Sequence, residues 1–229
     1  MKFYYDLHIH SDLSPCANNE MTPNNIVNMA YIKGLNIISV TDHNTTKNLP
    51  AINEVANKLN IKVIFGIEVT TKEEVHALCY FKSCEDAEKF GDLIYESLPN
   101  IKNNINIFGE QNIYNADDEK IGQLDKLLLN ASSFSVDDLY NLTKQYNGIM
   151  ILAHVNKKSN GILAVLGFIP FNLNLQFIEV FSKEKVDERI IKNYKILKNS
   201  DAHQLIDIQE AINYFELNSI NEIYNYLSL

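Results

Sequence analysis

Phe3-Tyr4-Tyr5-Asp6-Leu7-His8-Ile9-His10 is an apolar run that ends in two histidines two residues apart. On an extended segment alternate side chains share a face, so His8 and His10 point to one side. That is the simplest way for one strand to give two ligands to one metal ion. The pattern recurs along the chain. Thr41-Asp42-His43-Asn44, Ala153-His154-Val155 and Ser200-Asp201-Ala202-His203 each follow an apolar run, and Gly66-Ile67-Glu68-Val69 adds a carboxylate. Val75-His76-Ala77-Leu78 places the remaining histidine near the start of a run. All six histidines therefore stand at the ends of expected strands. Neutral imidazole and carboxylate are the ligands of hydrolytic zinc, manganese and iron sites.

Strands are expected at 3–8, 37–41, 63–67, 76–81, 149–153, 177–181 and near 196–199. Amphipathic segments lie between them, at 26–33, 49–59 and 85–98. Thr22 reads as a helix cap with Pro23 in the first turn, and Gly34 reads as the stop of that helix. Strand alternating with helix implies parallel strands joined by crossovers. In a parallel barrel, active sites gather at the C-terminal strand ends. Residues 100–147 are less regular, with polar turns at 103–106 and 115–119 and helical stretches at 124–129 and 136–146. Ser135 and Asp138 have capping-box spacing before the second stretch. The segment reads as an insertion over the barrel mouth of one domain covering 1–229.

A chain of 229 residues, 46% of them hydrophobic, is long enough for one large domain with its own core. Its net charge is −9 and its one arginine is Arg189, which argues against a long nucleic acid as partner. Cys16, Cys79 and Cys84 form no C-x-x-C, so free or buried thiols are expected rather than disulfides. No apolar stretch reaches membrane length and the N-terminus has no leader pattern, so a cytoplasmic location and no membrane partner are expected. A Ser-His-Asp hydrolase is a poorer reading, because no G-x-S-x-G is present.

Taken in order, the motifs at 6–10, 41–44, 66–68, His76, 153–154 and 200–203 resemble those of the PHP (polymerase and histidinol phosphatase) domain family of metal-dependent phosphoesterases. The resemblance implies an α/β fold, a distorted (β/α)7 TIM-like barrel, with two to three divalent transition-metal ions (zinc, manganese or iron). It assigns His8, His10, Glu68 and Asp201 to a first metal. Glu68, His76 and His154 go to a second, with Glu68 bridging, and His43 and His203 to a third. Glu68, Asp201 and His203 are the expected catalytic residues. One family position departs: Pro15 stands where an Asp or His is common, leaving Asp12, Cys16 or water to complete the third site. Asp6 and Asp42 border histidines and are expected to orient imidazoles rather than bind metal. Lys157, Lys158 and Arg189 are candidates for neutralising phosphate oxygens. The implied function is hydrolysis of a small phosphate ester, monoester or diester, with nucleotides included, by a metal-activated hydroxide. The alternatives are a PHP-type exonuclease and a non-catalytic metal-binding scaffold. Nothing in the sequence fixes an oligomeric state.

Overall fold

β1 (Lys2–Ile9) runs through the middle of the protein and carries the first histidine pair at its C-terminal end. The structure is a computed structural model and describes residues 1–228. After β1 come α1 (Pro23–Ile32), β2 (Ile37–Val40), α2 (Leu49–Lys58), β3 (Lys62–Val63), β4 (Phe65–Thr70), β5 (His76–Phe81) and α3 (Cys84–Ser97). A short α4 (Ile105–Phe108) and the hairpin β6 (Asn112–Tyr114) and β7 (Lys120–Gln123) follow. The chain then returns through α5 (Val136–Gln145), β8 (Ile149–Leu152), α6 (Ile162–Val165), β9 (Phe177–Glu179), α7 (Glu188–Ile191), β10 (Lys195–Leu197), β11 (Tyr214–Glu216) and α8 (Ile223–Ser228). No helix among the described residues is long and apolar enough to cross a membrane.

Two curved sheets make the barrel, ordered β11-β1-β2-β3 and β10-β9-β8-β5-β4. They do not merge into one closed sheet. Single bridges join the C-terminal ends of the two inner strands β1 and β2 to the outer edges of the second sheet, Ile9 to Ala202 beyond β10 on one side and His43 to Glu68 of β4 on the other. The amide of His10 donates to the Ala202 carbonyl at 2.9 Å, and that of Asn44 to the Glu68 carbonyl at 2.8 Å. Both seams are thus made by the backbone of the histidine- and carboxylate-bearing segments.

Within the two barrel sheets the expectation of all-parallel strands holds for β1–β2, β2–β3, β8–β9 and β9–β10 but fails at three pairs. β5 is antiparallel to both β4 and β8, and β11 is antiparallel to β1. The cause at β4–β5 is the connection, residues 71–75, which is too short for a crossover and can only close a hairpin. The reversal has a consequence for His76. The start of β5 lies at the same end of the barrel as the C-terminal ends of β4 and β8, its antiparallel neighbours.

The β1–β2 register slips between Asp6 and Ile9. A slip of this kind moves side chains from one face to the other. Tyr5 and Leu7 pack with Ile37, Leu78, Tyr80 and Phe177 from strands around the barrel, whereas Ile9 packs with the helix-facing cluster. Below the slip the inner face carries apolar residues; above it the inner face carries His8 and His10.

Helix α1 departs from expectation at its start. Thr22 accepts no capping bond; its hydroxyl donates to Asp118 at 2.6 Å, and the same carboxylate accepts the Asn24 amide at 2.9 Å. A carboxylate from the β6–β7 hairpin therefore caps α1, favoured there by the helix dipole. Gly34 stops the helix with φ +75 as expected, and the Ser135–Asp138 capping box forms at α5. The helix expected at 124–129 is absent. Gln111 explains this: its amide donates to the Leu124 and Lys126 carbonyls and accepts from the Leu128 amide, which holds the strip extended.

The segment before α5 lies against the loops that follow β1, β2 and β4. The Asn112 amide donates to the Asp12 carbonyl and the Ser132 amide to the Thr70 carbonyl. Asn44 is the main tie. Buried and left-handed at φ 54, it donates through Nδ2 to the Leu128 and Asn130 carbonyls and accepts the Thr70 amide on Oδ1. Asn44→Ala should cost about 2–4 kcal/mol, because it orphans buried backbone groups and puts Ala in a left-handed position. Urea unfolding checks this; a loss below about 1 kcal/mol would show that the segment docks without this tie.

Candidate metal centre

Glu68, on β4, is buried and ionised at the centre of the barrel mouth. Its Oε1 lies 2.9 Å from His76 Nδ1, 3.1 Å from His154 Nε2 and 3.4 Å from His8 Nε2. Its Oε2 lies 3.1 Å from His43 Nδ1 and 3.3 Å from His10 Nε2. Asp201 Oδ1 completes the rim, 3.3 Å from both His8 Nε2 and His10 Nε2. His203 stacks near His10, with ring centroids 4.4 Å apart. The structure thus brings together His8, His10, His43, Glu68, His76, His154, Asp201 and His203. Within the set, three subsets have donor atoms close enough to share an ion: His8, His10 and Asp201; His43, Glu68 and His76; and His10, His43 and His203.

His154 Nε2 meets Glu68 Oε1 in a hydrogen bond, but other converging donor atoms do not pair off. His43 Nδ1, His76 Nδ1 and Glu68 Oε2 are buried, yet none has a hydrogen-bond partner of acceptable geometry. Orphaned buried polar atoms are rare, and several aimed at one point fit cation coordination. The residues present therefore suit divalent ions in number and kind.

Electrostatics within the cluster follow from burial and mutual contact. Burial opposes the charge on Glu68, yet the His76, His8 and His43 imidazoles hold its carboxyl well below the usual range. Burial likewise opposes Asp201, which His8 and a hydrogen bond from His10 keep strongly acidic. Desolvation and the neighbouring His203 push His10 down to about 4. Burial also holds His43 well below its ordinary value. Neutral imidazoles are the form that ligates metal. His8 is the exception: against burial, Glu179, Glu68 and Asp201 raise it.

Glu179 was missed by the sequence reading. Its carboxylate takes His8 Nδ1 at 3.0 and 3.1 Å, the His154 amide at 2.8 Å and Asn199 Nδ2 at 2.7 Å. A carboxylate only accepts, so His8 carries a proton on Nδ1 and turns Nε2 toward the centre. The available signal was a carboxylate inside the apolar run Phe177-Ile178-Glu179-Val180. A buried strand charge needs a partner. The bond from the His154 amide also helps hold that residue at φ 27, while Asp201 sits at φ 53. Backbone in this region is characteristic of functional sites.

The carboxylates expected to orient imidazoles do so less directly. Asp42 accepts from Ser11 and Ser14, and the Ser14 hydroxyl lies 3.1 Å from His10 Nδ1. Burial pushes the Asp42 carboxyl up to about 6. Among the described residues Asp6 forms no hydrogen bond or ion pair with an imidazole ring; its bonds are to backbone amides. It accepts the Ser200 and Gln209 amides and so fixes the loop that carries Asp201. Near Pro15, Asp12 is engaged elsewhere, accepting from Asn112 at 2.8 Å and Tyr114 at 2.5 Å, and Cys16 is exposed. Neither residue joins the three ligand subsets among the described residues. Cys79 is buried and Cys84 half-buried, both free.

A cavity of about 530 Å³ opens beside Asp201 and His203. Lys157 lines it, with Nζ 2.8 Å from Asp201 Oδ2. Lys158 is exposed and Arg189 is bound to Asp187 at 2.6 Å on the surface; neither lines this cavity.

Comparison with known proteins gives the same reading of the fold. The chain is 33% identical over 70 residues to a 5′-3′ exoribonuclease of Haemophilus influenzae, covering 31% of this chain and 24% of the relative. It is 34% identical over 65 residues to a phosphoribosyl 1,2-cyclic phosphate 1,2-diphosphodiesterase of Eggerthella lenta, covering 28% and 24%. The matches thus span about a quarter of each curated relative. Among solved structures, the lesion-specific endonuclease EndoQ of Pyrococcus furiosus superposes with a TM-score of 0.70 at 19% identity, over 99% of this chain and 56% of that one. The sequence pattern of the PHP domain matches residues 6–214, and the chain belongs to the PHP domain family of metal-dependent phosphoesterases.

Proposed function

We propose that the protein hydrolyses a small phosphate ester with two to three divalent ions, zinc, manganese or iron, held at the barrel mouth. The observation that carries this is the convergence of imidazole and carboxylate atoms on Glu68, among which His43 Nδ1, His76 Nδ1 and Glu68 Oε2 are buried with no hydrogen-bond partner. When bound, the ions supply Lewis acidity that acidifies water and neutralises phosphate charge.

The chain's own residues set the geometry. Glu68 would be the shared carboxylate, since imidazole nitrogens face both of its oxygens. As the family resemblance implies, His8, His10 and Asp201 would hold one ion with it, and His76 and His154 another. The imidazoles of His43 and His203, with His10, form the third subset. His203 donates Nδ1–H to the Asp201 carbonyl at 2.8 Å, which leaves Nε2 free for a ligand or a proton. Lys157 is positioned to pass its charge from Asp201 to a phosphate oxygen. The segment before α5, resting on the rim loops, governs which substrates enter.

A second reading is attack on a nucleic-acid end, favoured by the name of the exoribonuclease relative. The net charge of −9 weighs against a long strand. Reconstitution with each metal, followed by assays on p-nitrophenyl phosphate, its bis-ester and a 5′-phosphorylated oligonucleotide, separates the readings. Turnover of the oligonucleotide alone would replace the first by the second, and no turnover of any would remove both.

Glu68→Gln should lower turnover by more than roughly 100-fold and reduce bound metal, because a neutral amide cannot bridge two cations. Near-normal turnover with full metal content would exclude Glu68 as the shared ligand. Glu179→Gln should weaken metal affinity about 10–100-fold while circular dichroism stays native, since the proton on His8 Nδ1 loses its anionic acceptor. Calorimetric titration reads this; unchanged affinity would confine Glu179 to a packing role.

A further inference from the structure

We propose that the cavity beside Asp201 and His203 is a subsite for a second phosphate-like dianion, carried by the part of the substrate that is not cleaved. The proposal rests on the phosphoesterase reading above and names the substrate class for that site. Asp201 and His203 belong both to the ligand subsets and to the cavity wall, so a ligand reaching out of the centre enters this space. Its volume of about 530 Å³ suits a small substrate.

The lining is unusual for this chain. The protein is acidic overall, with 20 basic residues, yet Lys157, Lys183 and Lys198 all face this one cavity. Lys157 is committed to Asp201. Among the described residues, neither Lys183 nor Lys198 forms an ion pair. Asp207 is the other carboxylate on the wall, so two ammonium groups face one remaining acid. Such a balance attracts a dianion and gains little from a neutral alcohol.

The wall is also fixed in place. The Lys198 carbonyl accepts from Asn213 Nδ2 at 3.1 Å and from Gln209 Nε2 at 3.4 Å. The Lys157 and Lys183 ammonium groups stand 5.5 and 5.9 Å from the centre of the Phe181 ring. Cation–π contacts of this length hold the two lysines around a common aromatic floor. The substrate class that fits is a small ester with two phosphoryl groups, one at the metal centre and one between Lys183 and Lys198. A strand whose next phosphate occupies the same place offers the same chemistry.

The test uses hydrolysis-resistant probes on the metal-loaded protein, butane-1,4-bisphosphonate and butylphosphonate, with dissociation constants from calorimetry. The bisphosphonate should bind roughly ten-fold tighter. In the Lys183→Ala, Lys198→Ala double variant the two probes should bind within about two-fold of each other, while Lys192→Ala, outside the cavity, should keep the wild-type ratio. Equal binding of the probes to the wild type, or a ratio that survives the double substitution, would overturn the proposal. Turnover of p-nitrophenyl phosphate is measured separately. A lysine-dependent preference in a protein that cleaves no ester keeps the subsite and discards the phosphoesterase reading. Displacement of the bisphosphonate by short oligonucleotides, tightening with strand length, assigns the subsite to a strand; displacement independent of length assigns it to a small ester.

Discussion

Glu68 is a buried carboxylate with imidazole nitrogens of His8, His10, His43, His76 and His154 within 3.4 Å of its oxygens. Burying one charge costs several kcal/mol unless it is compensated. Here the compensation comes from side chains delivered by separate strands, so the site cannot assemble until the barrel does. The converse also holds. The backbone of Glu68 makes one of the two seams between the sheets, and the loop at Ala202 makes the other. Fold and site therefore share the same residues, and a change at the centre is felt in the barrel.

Support for the ligands is layered beneath them. Glu179 sets the proton on His8 and pins the His154 amide, while Asn199 ties Glu179 to the end of β10. Asp6 holds the Asp201 loop from the opposite side through the Ser200 and Gln209 amides. Asp42 acts through Ser14, a hydroxyl that meets both the His10 ring and the His43 amide. These bonds restrict ring orientation, which is what lets neutral imidazoles stay aimed at one point.

Much of this was legible in the sequence because strand ends and ligand types are local features. The spacing of His8 and His10 gave their common face, and the placement of His43, His154 and Asp201 after apolar runs gave the common end of the barrel. The position of His76 at a strand start looked discordant until the hairpin at 71–75 reversed β5. That reversal depends on a connection length whose meaning emerges only when the pairing partner is known. The helix expected at 124–129 failed for a related reason. Its leucines satisfy a helical pattern, but the side chain of Gln111 captures the backbone groups a helix would use. Glu179 was hidden because its role is a contact across 171 residues of sequence, with no neighbouring histidine to mark it. Lys158 illustrates the reverse: a charge four residues after His154 in sequence does not line the cavity at the site.

The most direct test of the central claim is anomalous diffraction from crystals of the reconstituted protein, collected at the absorption edges of zinc, manganese and iron. The account predicts at least two ions, one on each oxygen of Glu68, at coordination distances of roughly 2.0–2.3 Å. Anomalous density absent from the barrel mouth, with the Glu68 oxygens still in direct contact with His43 and His76, would contradict it.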